Sequence, residues 1–124
     1  MANKGKTQLL ITFVASPDKV SEIDRLIESH GSWMAETHPR DGSKALLNYS
    51  FAKGSELENP LDPSSKETGN TRYVLDEVYE SPAGIEEHWR RAQDSWKDFG
   101  AMVELIASCN PQTMHGGSIA QSLW

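Results

Sequence analysis

The sequence of 124 residues contains one cysteine, Cys109, and no long hydrophobic run. A single cysteine excludes an internal disulfide framework and is typical of a reducing compartment. No apolar stretch approaches the roughly 20 residues that a transmembrane helix needs. The apolar run at residues 9–14 is also too short for a secretory signal, because Ser16-Pro17 follows it. We therefore expect a cytoplasmic protein that does not enter the membrane.

Basic residues are scarce as well, since 12 lysines and arginines face 18 acids and the net charge is -6. An acidic chain without a basic stripe is not expected to bind nucleic acid. The sequence also lacks a glycine-rich phosphate loop, zinc-finger spacing and a nucleophile elbow. Its length predicts one domain, residues 1–124, that is large enough to bury its own core.

Apolar residues recur along the chain with the periods that are typical of strands and helices. Period two at residues 7–14, 45–52 and 72–80 predicts three strands, and residues 112–123 predict a fourth. Ser16-Pro17 and Ser81-Pro82 each end a strand and begin a helix. The first helix is expected to reach His38, with a kink or break near Gly31-Ser32. The polar segment 53–70, which contains Gly and Pro, predicts a long surface loop.

The second helix is predicted from a stripe of apolar residues at steps of three and four. We expect it to continue to residue 106, with an end or a bend near Gly100. The order of elements is then strand, helix, strand, strand, helix, strand, which is the ferredoxin-like βαββαβ arrangement of an α+β fold. The stripe contains Ile85, Trp89, Ala92, Trp96, Phe99, Val103 and Ile106.

Both faces of the predicted sheet carry apolar side chains. Leu9, Ile11 and Phe13 alternate with Leu10 and Val14 in the first strand alone. Two helices cover only one face, and a large apolar face is rarely left exposed on a monomer. The sequence therefore predicts a homodimer in which two sheets pack face to face.

The run Glu77–His88, EVYESPAGIEEH, resembles the third strand and following helix of the antibiotic biosynthesis monooxygenase-like family. Glu77, Tyr79, Ala83 and His88 fit the family pattern. The resemblance implies a dimeric α+β barrel. It also implies one of several activities, among them cofactor-independent oxygenation of quinol-like aromatics, haem degradation and isomerisation. Thr12 stands where some active members have Asn, which does not support a haem-degrading site.

His88 is the candidate catalytic acid or base, because a neutral imidazole exchanges protons near pH 7. Alternatively, it is a helix residue bonded to a backbone carbonyl or to Glu77. Asp76 and Glu77 are adjacent in a strand, so only one of them can face the interior. If Glu77 shares the face of Tyr73 and Tyr79, its pKa is expected to rise.

A ligand pocket or the protein core can each account for the remaining aromatic and histidine residues. His30 and His38 are two helical turns apart, so they cannot bind one metal ion from a straight helix. We expect no metal and no cofactor. The candidate ligand-binding residues are His30, Trp33, His38, Tyr49, Glu77, Tyr79 and Trp89.

The resemblance implies a cofactor-independent monooxygenase-like protein that acts on a small aromatic or quinol-like compound. The alternative is a non-catalytic dimer of the same architecture that binds a small ligand or serves in a stress response. A polar cavity at His88 with aromatic walls favours the enzyme, whereas an interior filled by its own side chains favours the alternative.

Overall fold

A computed structural model describes residues 2–124 of the protein. It is an α+β structure in which four strands form one antiparallel sheet in the order β2-β3-β1-β4. Three helices and a short 3-10 turn, Pro17–Lys19, connect the strands, an arrangement compatible with the expected ferredoxin-like fold. The elements are β1 Thr7–Ala15, α1 Val20–Thr37, β2 Leu46–Leu57, β3 Glu67–Tyr79, α2 Pro82–Ser95, α3 Phe99–Ala107 and β4 Gln112–Ser118. Across residues 2–124, every helix is too short or too polar to cross a membrane.

The first helix, α1, is longer and more regular than its glycine indicated. It runs through Gly31 without the expected break. The backbone N–H of His38 still donates to the carbonyl oxygen of Met34. Pro39 then prevents another helical turn. His38 therefore lies at the end of the helix, where its side chain reaches the sheet.

The second predicted helix is divided into α2 and α3, so the expected bend is present but lies a few residues before Gly100. The division lies at residues 96–98, and Gly100 lies inside α3. At this point the indole N–H of Trp96 donates to Ser29 Oγ at 2.9 Å. The Ser29 hydroxyl donates in turn to Asp98 Oδ2 at 2.6 Å. These bonds to α1 hold the chain in the bend, so tertiary contacts, and not the glycine, place the division.

The predicted loop at residues 53–70 is wrong in its extent, because half of it is strand and residues 58–66 alone connect the two strands. β2 extends to Leu57 and β3 begins at Glu67, so the two strands form a long hairpin. Glu56 accepts cross-strand hydrogen bonds from the Thr68 hydroxyl and the Asn70 side chain. An exposed two-stranded ribbon has no buried face, so its sequence can be as polar as that of a loop. The fourth strand, β4, likewise ends at Ser118 and not at residue 123.

The two faces of the sheet differ in polarity. Inward-facing Leu9, Ile11 and Phe13 of β1 are buried under the helices. On the open face, Leu10 and Val14 are half-buried among polar pairs. Gln8 Nε2 donates to Asp76 Oδ1 at 2.9 Å, and Arg72 donates to Thr12 at 2.9 Å. The open face is therefore only partly apolar.

Candidate functional site

The inward face of β3 changes from apolar to polar along the strand. Period two places Tyr73, Leu75, Glu77 and Tyr79 on this face. Glu77 is 0% exposed, and its Oε1 accepts a hydrogen bond of 2.5 Å from the Tyr79 hydroxyl. Its Oε2 is buried and has no hydrogen-bond partner among the described residues. Burial raises the pKa of Glu77 to about 7, against the opposing effect of Tyr79. The expected inward carboxyl with a raised pKa is confirmed.

His30 of α1 faces this carboxyl across a short gap. The ring is buried, and its Nδ1 lies 2.8 Å from the Tyr49 hydroxyl of β2. Its Nε2 lies 3.9 Å from Glu77 Oε2, too far for a hydrogen bond. Burial, assisted by His38, lowers the pKa of His30 to about 4. His30 is therefore a neutral ring that connects Tyr49 with the bare carboxyl oxygen.

His38 and His88 form a second connection, from the end of α1 to α2. His38 Nε2 and His88 Nδ1 are 2.9 Å apart, and Thr37 Oγ1 is 2.9 Å from His38 Nδ1. The Thr37 hydroxyl donates to the Trp33 carbonyl at 2.7 Å, so it accepts from His38 Nδ1–H. His38 Nε2 then carries the lone pair that accepts from His88 Nδ1–H. The hydrogen bonds thus assign one tautomer to each ring.

Burial keeps both of these rings neutral. It lowers the pKa of His38 to about 4, assisted by Arg91, and that of His88 to about 3, assisted by His38 and His30. His88 Nδ1 is 3.8 Å from Glu77 Oε1. Four ionisable side chains therefore meet in the interior, where the low dielectric disfavours a charge on any of them.

Three tryptophans surround the histidines. The ring centroids of Trp33 and His38 are 5.1 Å apart, as are those of Trp89 and His88. The ring of Trp96 is 5.0 Å from that of His30. These rings exclude water from the histidines. The N–H group of Trp33 donates to Ser95 at 3.1 Å, and that of Trp96 donates to Ser29 at 2.9 Å.

Two spaces adjoin the cluster, one inside and one outside. The inner cavity measures about 50 Å³ and is lined by His30 and His88 within an otherwise largely apolar wall that includes Leu75, Trp89 and Phe99. The outer groove, between α1 and β2, measures about 410 Å³. Its lining consists of Gly31, Met34, Ala35, His38, Arg40, Leu46, Leu47, Asn48 and Tyr49.

The structure brings all the predicted site residues into one region. Tyr49 and His38 reach the outer groove, His30, His88 and Trp89 reach the inner cavity, and Glu77 lies between them. The sequence analysis did not propose Thr37 or Trp96 for the site. Trp96 follows Trp89 by seven residues on the predicted apolar stripe, so its spacing alone placed it on the same helix face as Trp89.

The same centre can supply metal ligands. Among residues 2–124, His30, Glu77 and His88 each offer one ligand atom, and these atoms lie within 4.8 Å of one another. His30 and His38, which the sequence excluded as a pair on one helix, are not part of one set here. The three candidate ligands come from α1, β3 and α2, a combination that spacing along the chain does not reveal.

Comparison with known proteins gives no family assignment. No protein-family model matches the chain, and no curated protein matches it. The function is therefore inferred from the geometry of the buried cluster of Glu77 and the three histidines.

Proposed function

We propose that the protein is a cofactor-independent monooxygenase-like enzyme that acts on a small aromatic or quinol-like compound. The observation that supports this proposal is the buried, unpartnered oxygen of Glu77, which Tyr49 and His30 connect to the outer groove. Burying a carboxyl and three histidines costs stability, so such a cluster is typical of a functional site.

The substrate ring occupies the outer groove and not the inner cavity. A benzene-sized ligand needs a cavity of roughly 150 Å³. The inner space of about 50 Å³ is too small for a ring, whereas the groove of about 410 Å³ admits one. The inner cavity has room for dioxygen or a water molecule.

A hydroxyl group of the substrate donates its proton towards Glu77 through two side chains. Tyr49 accepts the substrate proton and passes its own hydrogen to His30 Nδ1, and His30 Nε2–H delivers a proton to Glu77 Oε2. The gap of 3.9 Å at the last step must close by about 1 Å for transfer. Tyr49 and His30 each gain one proton and lose one, so the net change is the transfer of the substrate proton to Glu77.

The resulting substrate anion supplies the electrons for oxygen chemistry, with dioxygen as the co-reactant. A carbon–oxygen bond forms at a methylene carbon, and the oxygen–oxygen bond breaks. One oxygen atom remains as a carbonyl, and the other leaves as water with the two hydrogens of the methylene. The protonated Glu77 returns its proton to the hydroxyl oxygen of the product.

His88 takes part through Glu77 and His38. Its Nδ1 lies 3.8 Å from Glu77 Oε1 and bonds to His38, which also lines the groove. The pair His38–His88 links the carboxyl to the groove wall by packing and not by a path for protons, because both ring nitrogens of His38 are already bonded. In this proposal His88 is the acid or base that supports Glu77, while Tyr49 and His38 meet the substrate.

Oxygen uptake with a panel of quinol-like compounds that carry a ring methylene tests the enzymatic proposal. The assay uses chelator-treated protein and compares wild type with Glu77→Gln, Tyr49→Phe and His88→Ala. Glu86→Gln, an exposed acid on α2, is the matched control. We expect Glu77→Gln to reduce the rate by about 10²–10⁴-fold and the control to leave it unchanged. Uptake that is equal in wild type and Glu77→Gln for every quinol would contradict the proposal.

The small inner cavity favours a second candidate function, a non-catalytic protein that binds a small ligand in the groove. Such a protein binds a quinol or another planar compound without consuming oxygen. Ligand binding to the folded form raises the midpoint of thermal unfolding. A ligand that raises the midpoint in wild type and in Glu77→Gln alike, with no oxygen uptake, supports this second function.

We also propose that the open face of the sheet pairs with that of a second copy. Leu10, Val14, Val74 and Met114 leave apolar surface on or beside this face. Covering apolar surface contributes about 25 cal/mol per Å². Sedimentation velocity at micromolar concentration is expected to show a dimer, and Val74→Lys is expected to dissociate it. A monomer at every concentration would contradict this proposal.

A further inference from the structure

One feature of the cluster is not explained by hydrogen bonding. Glu77 Oε2 is buried without a partner, and the nearest ring nitrogen, His30 Nε2, is 3.9 Å away. Leaving a buried acceptor without a partner destabilises the fold, because its lost hydration is not replaced. A cation between these atoms would satisfy both. We propose that His30, Glu77 and His88 form a binding site for a divalent transition-metal ion such as Zn²⁺ or Co²⁺.

The distances between the candidate ligands are close to those of an occupied site. Ligand nitrogens and oxygens lie about 2.0–2.2 Å from a bound Zn²⁺, which places neighbouring ligands roughly 3.3–3.6 Å apart in a tetrahedral site. In the structure, His30 Nε2 is 3.9 Å from Glu77 Oε2, and His88 Nδ1 is 3.8 Å from the other oxygen, Glu77 Oε1. One ligand atom from each of the three residues lies within 4.8 Å of the other two. Closing these distances by at most roughly 1.5 Å therefore completes the site.

Neighbouring side chains orient two of the three ligands. The Tyr49 hydroxyl holds His30 by Nδ1, so that Nε2 is directed at the carboxyl. The Tyr79 hydroxyl holds Glu77 by Oε1 and leaves Oε2 bare. Such partners fix the tautomer and the orientation of metal ligands in known sites. An ion that takes His88 Nδ1 replaces the hydrogen bond of this atom to His38.

The ligand types and the adjoining space define which ion fits. Two imidazoles and one carboxylate suit Zn²⁺, Co²⁺, Ni²⁺ or Fe²⁺, whereas Ca²⁺ and Mg²⁺ prefer oxygen ligands throughout. The inner cavity of about 50 Å³, lined by His30 and His88, leaves room for one water molecule on the ion. The site therefore has three protein ligands and one open position.

A metal site goes beyond the proposed function, because the metal ion and the transferred proton compete for the same atoms of His30 and Glu77. An ion on Glu77 Oε2 and His30 Nε2 blocks the connection from Tyr49 to the carboxyl. The metal is therefore expected to inhibit the cofactor-independent reaction. Binding is measured without substrate, so a failure to find metal and a failure to find oxygenation are separate results.

Titration of chelator-treated protein with Co²⁺ tests the site. The absorption of Co²⁺ in the visible range reports its ligands, and we expect one ion per chain in wild type. Glu77→Gln and His30→Gln are expected to weaken binding at least tenfold. Glu86→Gln and His115→Gln, which change an exposed acid and an exposed histidine, are expected to bind as wild type does. Equal affinity in Glu77→Gln and wild type, or no binding below millimolar Co²⁺, would overturn the proposal.

Tryptophan fluorescence locates the ion without relying on a variant of the cluster. Trp33, Trp89 and Trp96 lie with ring centroids 5.0–5.8 Å from a histidine of the proposed site, whereas Trp124 is 97% exposed. In Trp124→Phe, paramagnetic Co²⁺ is expected to quench most of the fluorescence, while Zn²⁺ displaces the Co²⁺ and restores it. Bound Co²⁺ that leaves the fluorescence of Trp124→Phe unchanged would place the ion elsewhere and refute the site.

Discussion

The inward face of the sheet has two ends that are built from different chemistry. At the apolar end, Phe13 stacks on Tyr73 with ring centroids 5.1 Å apart, and Phe51 meets Phe13 edge-on at 6.2 Å. At the polar end, four and six residues beyond Tyr73 along β3, Glu77 and Tyr79 meet the three buried histidines. The same strands and the same α1 helix supply both ends.

The difference separates the residues that stabilise the fold from those that cost stability. Aromatic stacking and burial at the apolar end contribute to folding directly. At the polar end, neutral histidines and a carboxyl with one unpartnered oxygen replace groups that would pack without a desolvation cost. A fold that retains such a cluster in its core gives up stability there, and this is typical of a functional site.

The largest expected effect is at the apolar end. Phe13→Ala should lower the free energy of unfolding by about 3–5 kcal/mol, because it removes a fully buried ring and leaves a cavity. Val14→Ala, on the open face, is the control and should cost about 1 kcal/mol or less. Urea unfolding monitored by circular dichroism measures both. Equal losses for the two variants would remove the distinction between the buried face and the open face.

Acid should affect the polar end specifically. Burial lowers the pKa values of His30, His38 and His88 from 6.5 to about 4, 4 and 3, so the unfolded chain binds protons before the folded one. Stability is therefore lost as the pH falls from 6.5 through about 4. Glu77 has the opposite effect, because its raised pKa makes the folded chain bind that proton first. It is one group against the three histidines.

We expect a net decrease of a few kcal/mol over this range in chelator-treated protein. Urea midpoints measured from pH 7 to pH 4 test this expectation. His38→Gln should reduce the pH dependence, and Phe13→Leu should lower stability by a similar amount at every pH. A flat profile for wild type would mean that the histidines are not held neutral by burial.

A glycine determines how closely α2 approaches the polar end. A Cβ at Gly84 would lie 2.7 Å from Cδ1 of Tyr79 and 3.2 Å from the carbonyl oxygen of Lys44. Gly84→Ala should therefore displace the Tyr79 ring and cost about 1–3 kcal/mol. Gly100→Ala in α3 meets nothing within 4 Å and should stabilise by about 0.5–1 kcal/mol. Thermal unfolding of both variants compares them, and a stable Gly84→Ala would show that this contact is loose.

The sequence predicted the fold best where a buried face imposes a period. Residues 7–14 were predicted as a strand and form most of β1, because their side chains face a core. The hairpin at residues 53–70 was missed, because an exposed ribbon has no apolar alternation to detect. The bend expected near Gly100 lies instead at residues 96–98, since bonds from Trp96 to Ser29 of another helix produce it.

The members of the site could be predicted, but their connections could not. Period two placed Glu77 beside Tyr79, and helical spacing placed His30 and His88 on inward stripes. No pattern along the chain showed that His38 bonds to His88, 50 residues away, or that Tyr49 bonds to His30. These contacts depend on how α1 and α2 cross the sheet, which is determined by packing.

The polar end of the sheet is kept at a cost to the stability of the fold, and the variant Glu77→Gln tests this directly. Burial raises the pKa of Glu77 from 4.5 to about 7, so at pH 8 the carboxylate is charged in both states, but it is buried with one bare oxygen in the folded protein and hydrated in the unfolded chain. In chelator-treated protein, Glu77→Gln should raise the free energy of unfolding by about 1–2 kcal/mol at pH 8, and the gain should shrink towards pH 5. Glu86→Gln should change it little at either pH. A loss of more than about 1 kcal/mol at pH 8 in Glu77→Gln would show that the carboxyl stabilises the fold, and would contradict the account.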